Sequence, residues 1–121
     1  MTGEKRRLKW VGSSQKDSNK FPARARSEIA VALDHVCAGA PHPAIKIWKG
    51  MGGGVYAINI RAAAGAYRVV YVARLESAVY VLHAFQKKSR KGIATPGQDL
   101  DLIKKRLRAA QSDDRKGRKH A

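Results

Sequence analysis

A histidine, an aromatic ring and a run of cations stand together in His83-Ala84-Phe85-Gln86-Lys87-Lys88-Ser89-Arg90-Lys91. An imidazole exchanges protons near neutral pH, while ammonium and guanidinium groups neutralise and orient phosphate. Together they suit a phosphodiester. The apolar run that leads into His83 predicts a strand, and Thr95-Pro96-Gly97-Gln98 predicts the start of a helix. There Thr95 is the cap, Pro96 fits the first turn and Gln98 bonds back to the cap. The cluster therefore falls on a strand-to-helix connection, where a rigid scaffold presents a solvated loop.

The elements that must hold this cluster are legible from periodicity. Lys9-Trp10-Val11 reads as a short strand, and Gly12-Ser13-Ser14 as a turn whose serines can cap a brief helix. Phe21-Pro22 opens a longer helix with Ile29, Leu33, Val36 and Ala40 on one face, ended by Gly39 and Pro41-His42-Pro43. The glycines of Gly50-Met51-Gly52-Gly53-Gly54 lack the spacing and the Lys-Ser/Thr ending of a phosphate loop, so they read as a tight entry into a strand. Three strands follow, from Val55 to Arg61, from Ala66 to Arg74 and from Val79 to Phe85. Their short connections imply an antiparallel meander. In the first, Tyr56, Ile58 and Ile60 share one face and Ala57, Asn59 and Arg61 the other. The last helix, from Thr95 to about Ala110, has Leu100, Ile103, Leu107 and Ala110 along one side. Residues 1–7 and 111–121 are expected to be disordered, leaving one α+β domain over 8–110.

Composition narrows the partner. A chain of 121 residues that is 44% hydrophobic has enough apolar material for one core. Its 25 Lys and Arg against 9 Asp and Glu give a formal charge of +16, which points to a polyanion, nucleic acid before membrane. One cysteine, Cys37, excludes an internal disulfide and fits a reducing cytoplasmic compartment; it reads as a small buried hydrophobe. The charged N-terminus has no apolar stretch after it, so no signal peptide is expected, and no apolar run is long enough to span a bilayer. His35, His42, His83 and His120 have no ligand spacing, so neither a metal nor a cofactor is expected.

These motifs together resemble the phage-derived HigB-like branch of the RelE/ParE toxin superfamily. The resemblance runs through Trp10-Val11-Gly12-Ser13-Ser14, Phe21-Pro22, Lys49-Gly50-Met51-Gly52 with Val55-Tyr56, and Tyr67-Arg68-Val69-Val70-Tyr71-Val72. It continues through Tyr80-Val81-Leu82-His83-Ala84-Phe85-Gln86-Lys87-Lys88-Ser89 and the Thr95-Pro96 helix. It implies a RelE-like α+β domain, an antiparallel meander sheet backed by N-terminal helices, with a C-terminal helix. It also implies the toxin of a type II toxin–antitoxin system, a ribosome-dependent mRNA endoribonuclease acting through the 2′-hydroxyl. The partners implied are mRNA, the ribosome and a HigA-like helix-turn-helix antitoxin. A nucleic-acid or ribosome-binding protein without catalysis and a ParE-like gyrase inhibitor are the alternatives.

The resemblance assigns Arg68 to the scissile phosphate and places Lys87 near a second functional arginine of such toxins. His83 is the candidate for proton transfer, although strand parity puts it on one face with Val79, Val81 and Phe85, so a core position competes. Lys88, Arg90, Lys91 and Arg61 are expected to grip backbone phosphates. Tyr71 is a candidate substrate contact that could equally be packed. Where relatives carry charged groups on the first meander strand, this chain has Ala57 and Asn59, which can act neither as base nor as phosphate clamp.

Overall fold

The structure, a computed structural model, describes residues 5–62, 65–87 and 97–119. The chain forms β1 (Leu8–Trp10), α1 (Ser14–Ser18), α2 (Ala23–Cys37), β2 (Ile45–Ile47), β3 (Val55–Ala62), β4 (Gly65–Val72), β5 (Val79–Lys87) and α3 (Gly97–Lys119). The strands make one five-stranded sheet in the order β1-β5-β4-β3-β2. β3, β4 and β5 are the expected antiparallel meander. β1 adds a parallel edge, Leu8 opposite Val79 and Trp10 opposite Val81, and β2 closes the other edge against β3.

Helices cover both faces. Phe21, Ala25, Ile29, Leu33 and Cys37 pack from the α2 side onto Ile58, Ile60, Tyr67, Val69, Tyr71, Val79 and Val81. From the other side Ile103, Leu107 and Ala110 of α3 pack onto Val55, Ala57, Val70, Val72, Tyr80 and Leu82. The period-2 alternation of β3 and β4 feeds both cores at once, so each strand needs a helix on each face. Cys37 is buried as expected, and burial pushes its thiol pKa up. The entry to β3 is tight as well: Gly54 has φ of 80° and a Cβ there would lie 2.6 Å from that of Arg74.

One irregularity in β5 overturns the parity read from the sequence. Val70 pairs with His83, but Tyr71 pairs with Val81, so Leu82 is an extra residue, a β-bulge. Below the bulge Val79 and Val81 face α2; above it His83, Phe85 and Lys87 pair with Val70, Arg68 and Ala66 and so face the α3 side. His83 thus does not share a face with Val79 and Val81. Alternation holds only while the ladder is unbroken.

Residues 5–7 and 111–119, expected to be disordered, are among the described residues and make contacts with the fold. Residues 5–7 belong to the fold: the Arg6 guanidinium donates to the carbonyls of Ala73, Leu75 and Ala78, and its backbone N–H to Cys37 at 2.8 Å. α3 does not stop at Ala110 but continues to Lys119, because its last turns carry two anchoring aspartates. Asp114 is buried and accepts from the Ser77 backbone N–H at 2.7 Å, while the Ser77 hydroxyl donates to the Asp114 carbonyl at 3.2 Å. Asp113 accepts from the Tyr80 hydroxyl at 2.7 Å and from Lys9 at 2.9 Å. Those contacts, the Tyr80 bond first, hold the Asp113 carboxyl below its ordinary pKa, while burial pushes that of the Tyr80 hydroxyl up.

Asp114→Ala should therefore lower stability by about 1–3 kcal/mol, since it leaves a partly buried N–H without its acceptor. Urea unfolding measures this, and hydrogen exchange should show loss of protection confined to residues 111–119. An unchanged midpoint would mean that the helix end is held by something else.

Candidate functional site

The bulge and the antiparallel register build a grid on the α3-side face of the sheet. Asn59, Arg68 and Phe85 stand directly opposite one another across β3, β4 and β5; the next row outward of that face is Arg61, Ala66 and Lys87, and the next inward is Ala57, Val70 and His83. Direct partners in a ladder project to the same side. Arg68, Lys87 and Arg61, expected to act together, are therefore on one face, around a floor of small Ala66 and Ala57 residues.

Arg68 and Lys87 sense each other. Burial lowers the pKa of the Lys87 ammonium, and the Arg68 guanidinium adds to the shift. Burial likewise lowers that of Arg68. Two cations held close without an intervening acid are costly in the free protein and favourable to a dianionic or delocalised phosphate. Among the described residues Arg68 Nε is also buried with no hydrogen-bond partner, and so is Oδ1 of its cross-strand neighbour Asn59. A buried donor and acceptor left unmade are expensive, of order 1–3 kcal/mol each.

His83 is placed differently. It is 6% exposed, its Nε2 lies 2.7 Å from Asp99 Oδ1, and its ring stacks on Phe85 with centroids 4.9 Å apart. Arg106 Nη1 lies 3.5 Å from His83 Nδ1 and donates to the Leu82 carbonyl at 3.0 Å, while Nη2 donates to Ser13 Oγ at 2.9 Å. With Nδ1 facing a permanent donor, the ring accepts there and its Nε2–H donates to Asp99. Both nitrogens are engaged, and the ring clasps α3 onto the bulge. Gly12 makes room for this network: its φ is 56° and a Cβ would come within 2.8 Å of Arg106 Nε.

Tyr71 is not on this face. It pairs with Val81, stacks on Tyr56 at 5.6 Å and is 2% exposed in the α2-side core, where burial raises its hydroxyl pKa; this is the packed position that the sequence also allowed. Lys88, Arg90 and Lys91, with the Thr95-Pro96 cap, lie outside the described residues. No group of three or more His, Cys, Asp or Glu among the described residues is placed to hold a metal. Sequence reasoning missed the orphan pairing of Asn59 with Arg68, and it missed Asp99 and Arg106. The i, i+7 spacing of the last two puts them on one side of a helix, a signal that was present but lay off the apolar stripe.

The strain between Arg68 and Lys87 has a measurable sign. A lysine pKa lowered by folding means that the native state binds fewer protons than the unfolded chain between the lowered and the ordinary value. Lys87→Gln should thus melt higher than wild type at neutral pH, and the gap should close as pH rises through that alkaline window. Arg68→Met, which keeps the apolar stem, should raise stability by about 1 kcal/mol. Melting curves of both variants against pH check this; a pH-independent gap would show that the cations do not interact.

The comparisons agree with this architecture. A variant of the E. coli toxin RelE in its free state superimposes with a TM-score of 0.55 at 23% identity, over 70% of this chain and 86% of that one, so the domain has the RelE fold. No curated protein sequence matches the chain. Residues 16–108 match the family described as phage derived protein Gp49-like (DUF891), a span from within α1 through β5 and the first half of α3. The chain is a member of the phage-derived Gp49-like family, built on the RelE fold.

Proposed function

We propose that this protein is the toxin of a type II toxin–antitoxin system, a ribosome-dependent endoribonuclease that cleaves mRNA through the 2′-hydroxyl. The observation that carries the reading is the buried Nε of Arg68, without a hydrogen-bond partner among the described residues, beside Lys87. Family membership and fold support it, as does the charge of +16.

The chemistry follows from the grid. A phosphodiester seated over Ala66 would meet the Arg68 fork with two of its oxygens, and the charge that develops on the phosphorane would be matched by a preorganised cation. As the 2′-oxygen bonds to phosphorus, its proton passes to solvent water. Lys87, whose pKa is lowered by burial and by Arg68, is the nearby group suited to hand a proton to the departing 5′-oxygen as the P–O5′ bond breaks. Arg61, exposed on the same row, would hold the backbone beyond the scissile bond. The antitoxin, a HigA-like helix-turn-helix protein, would present acidic residues to this face and cover it. The clasped state of His83 favours a second reading, an RNA-binding protein without catalysis, since no free imidazole is left to act as base.

Inducing the protein in bacteria and mapping new mRNA 5′ ends separates the two. The nuclease reading expects new ends inside translated frames, and Arg68→Ala should lower the cleavage rate by roughly a hundredfold while RNA binding persists. Intact transcripts during growth arrest would remove the enzyme claim.

A further inference from the structure

The sequence placed the chain after Ala110 in an unstructured tail; as a helix it acquires a second charged face. Lys104, Lys105, Arg108 and Arg115 of α3 are all exposed and fall within about a quarter of the helix circumference, over roughly 16 Å of axis. None of them forms an ion pair among the described residues. The acids of this helix are engaged elsewhere: Asp99 binds His83, Asp113 binds Tyr80 and Lys9, and Asp114 binds Ser77, all toward the sheet. Only Asp101 shares the outer face, one turn before the cations, and it pairs with none of them.

A solvated basic face is common on helices and by itself asks for nothing. This one differs because the helix is pinned at both ends, by the His83 clasp near its start and by Asp113 and Asp114 near its finish. The cations are therefore carried on a rigid rod, so little ordering entropy opposes their meeting a rigid array of phosphates. The rod lies over the Tyr80 and Leu82 end of the sheet and directs its cations away from the sheet, so they are presented on a different side from the Arg68 row.

We propose that the outer face of α3 docks the phosphate backbone of a folded, double-helical RNA, separately from the single strand taken by the Arg68 face. The inference rests on RNA being the ligand of the Arg68 face. Contacts of this kind position the protein without reading sequence. A duplex backbone presents one charge per about 1.7 Å of axis, so a stripe of this length spans several phosphates.

The test compares wild type with a variant carrying Lys104→Gln, Lys105→Gln, Arg108→Gln and Arg115→Gln, using an RNA hairpin, a short single-stranded RNA and vesicles of phosphatidylserine and phosphatidylcholine. Glutamine suits a helix, so α3 should persist; a swap of Lys for Arg and Arg for Lys at the same positions serves as the charge-preserving control. The variant should lose about tenfold or more in hairpin affinity, with the logarithmic salt slope reduced by about 0.7–0.9 per lost contact. Single-strand binding should be unchanged, and the charge-preserving swap should bind the hairpin like wild type. If the fourfold variant fails to fold, Lys105→Gln with Arg108→Gln must show the same selective loss. Unchanged hairpin affinity, equal loss for hairpin and single strand, or tighter binding of wild type to vesicles than to RNA would each overturn the proposal. Should wild type bind neither RNA, the reading of the Arg68 face fails too; if wild type binds the single strand while the stripe variant keeps the hairpin, only the docking inference falls.

Discussion

The β-bulge in β5 at Leu82 decides which side chains share a face with Arg68. Were the ladder unbroken, the alternation that sends Val79 and Val81 into the α2-side core would send His83, Phe85 and Lys87 the same way, leaving Arg68 on the opposite face without Lys87. The bulge costs one interrupted rung of the ladder and turns the outer half of the strand over. Lys87 then stands by Arg68, and His83 meets the first turn of α3. The helix locks the bulge in turn, since Arg106 takes the Leu82 carbonyl while flanking the His83 ring. Site and clasp are thus one construction.

The free protein accordingly holds unfavourable electrostatics where a ligand would act. Two cations share a partly desolvated face, and a guanidinium N–H and an amide oxygen lie buried without partners among the described residues. The two cores supply the stability that tolerates this, with Val69, Val70, Val72, Val79 and Val81 fully enclosed. Destabilised polar groups on a rigid sheet are what preorganised transition-state binding requires. The α2-side face has nothing of the kind: Tyr71 and Tyr56 stack in its core.

Much of this could be read from the sequence, and the failures have physical causes. The strands and helices followed from periods of 2 and 3.6, and Arg68 with Lys87 from their motif, because those signals are local. The face of His83 did not, since a bulge leaves no mark on an alternation pattern except where a partner strand is known. The order of the last turns of α3 escaped because Asp113 and Asp114 look like solubilising charges until Tyr80 and Ser77, more than thirty positions earlier, are folded against them. Asn59 was set aside for lacking charge, yet its oxygen lies unpaired opposite Arg68.

The central claim is that the Arg68–Lys87 face is the site where phosphate is engaged. Nitrogen-15 NMR of the Arg68 side chain during titration with a short RNA blocked by 2′-O-methylation tests it directly. The account predicts a large shift and slowed exchange of the Arg68 Nε–H, with accompanying shifts at Asn59 and Lys87 and none at Tyr71. An unmoved Arg68 resonance at saturating RNA, or shifts confined to the α2 side of the sheet, would contradict it.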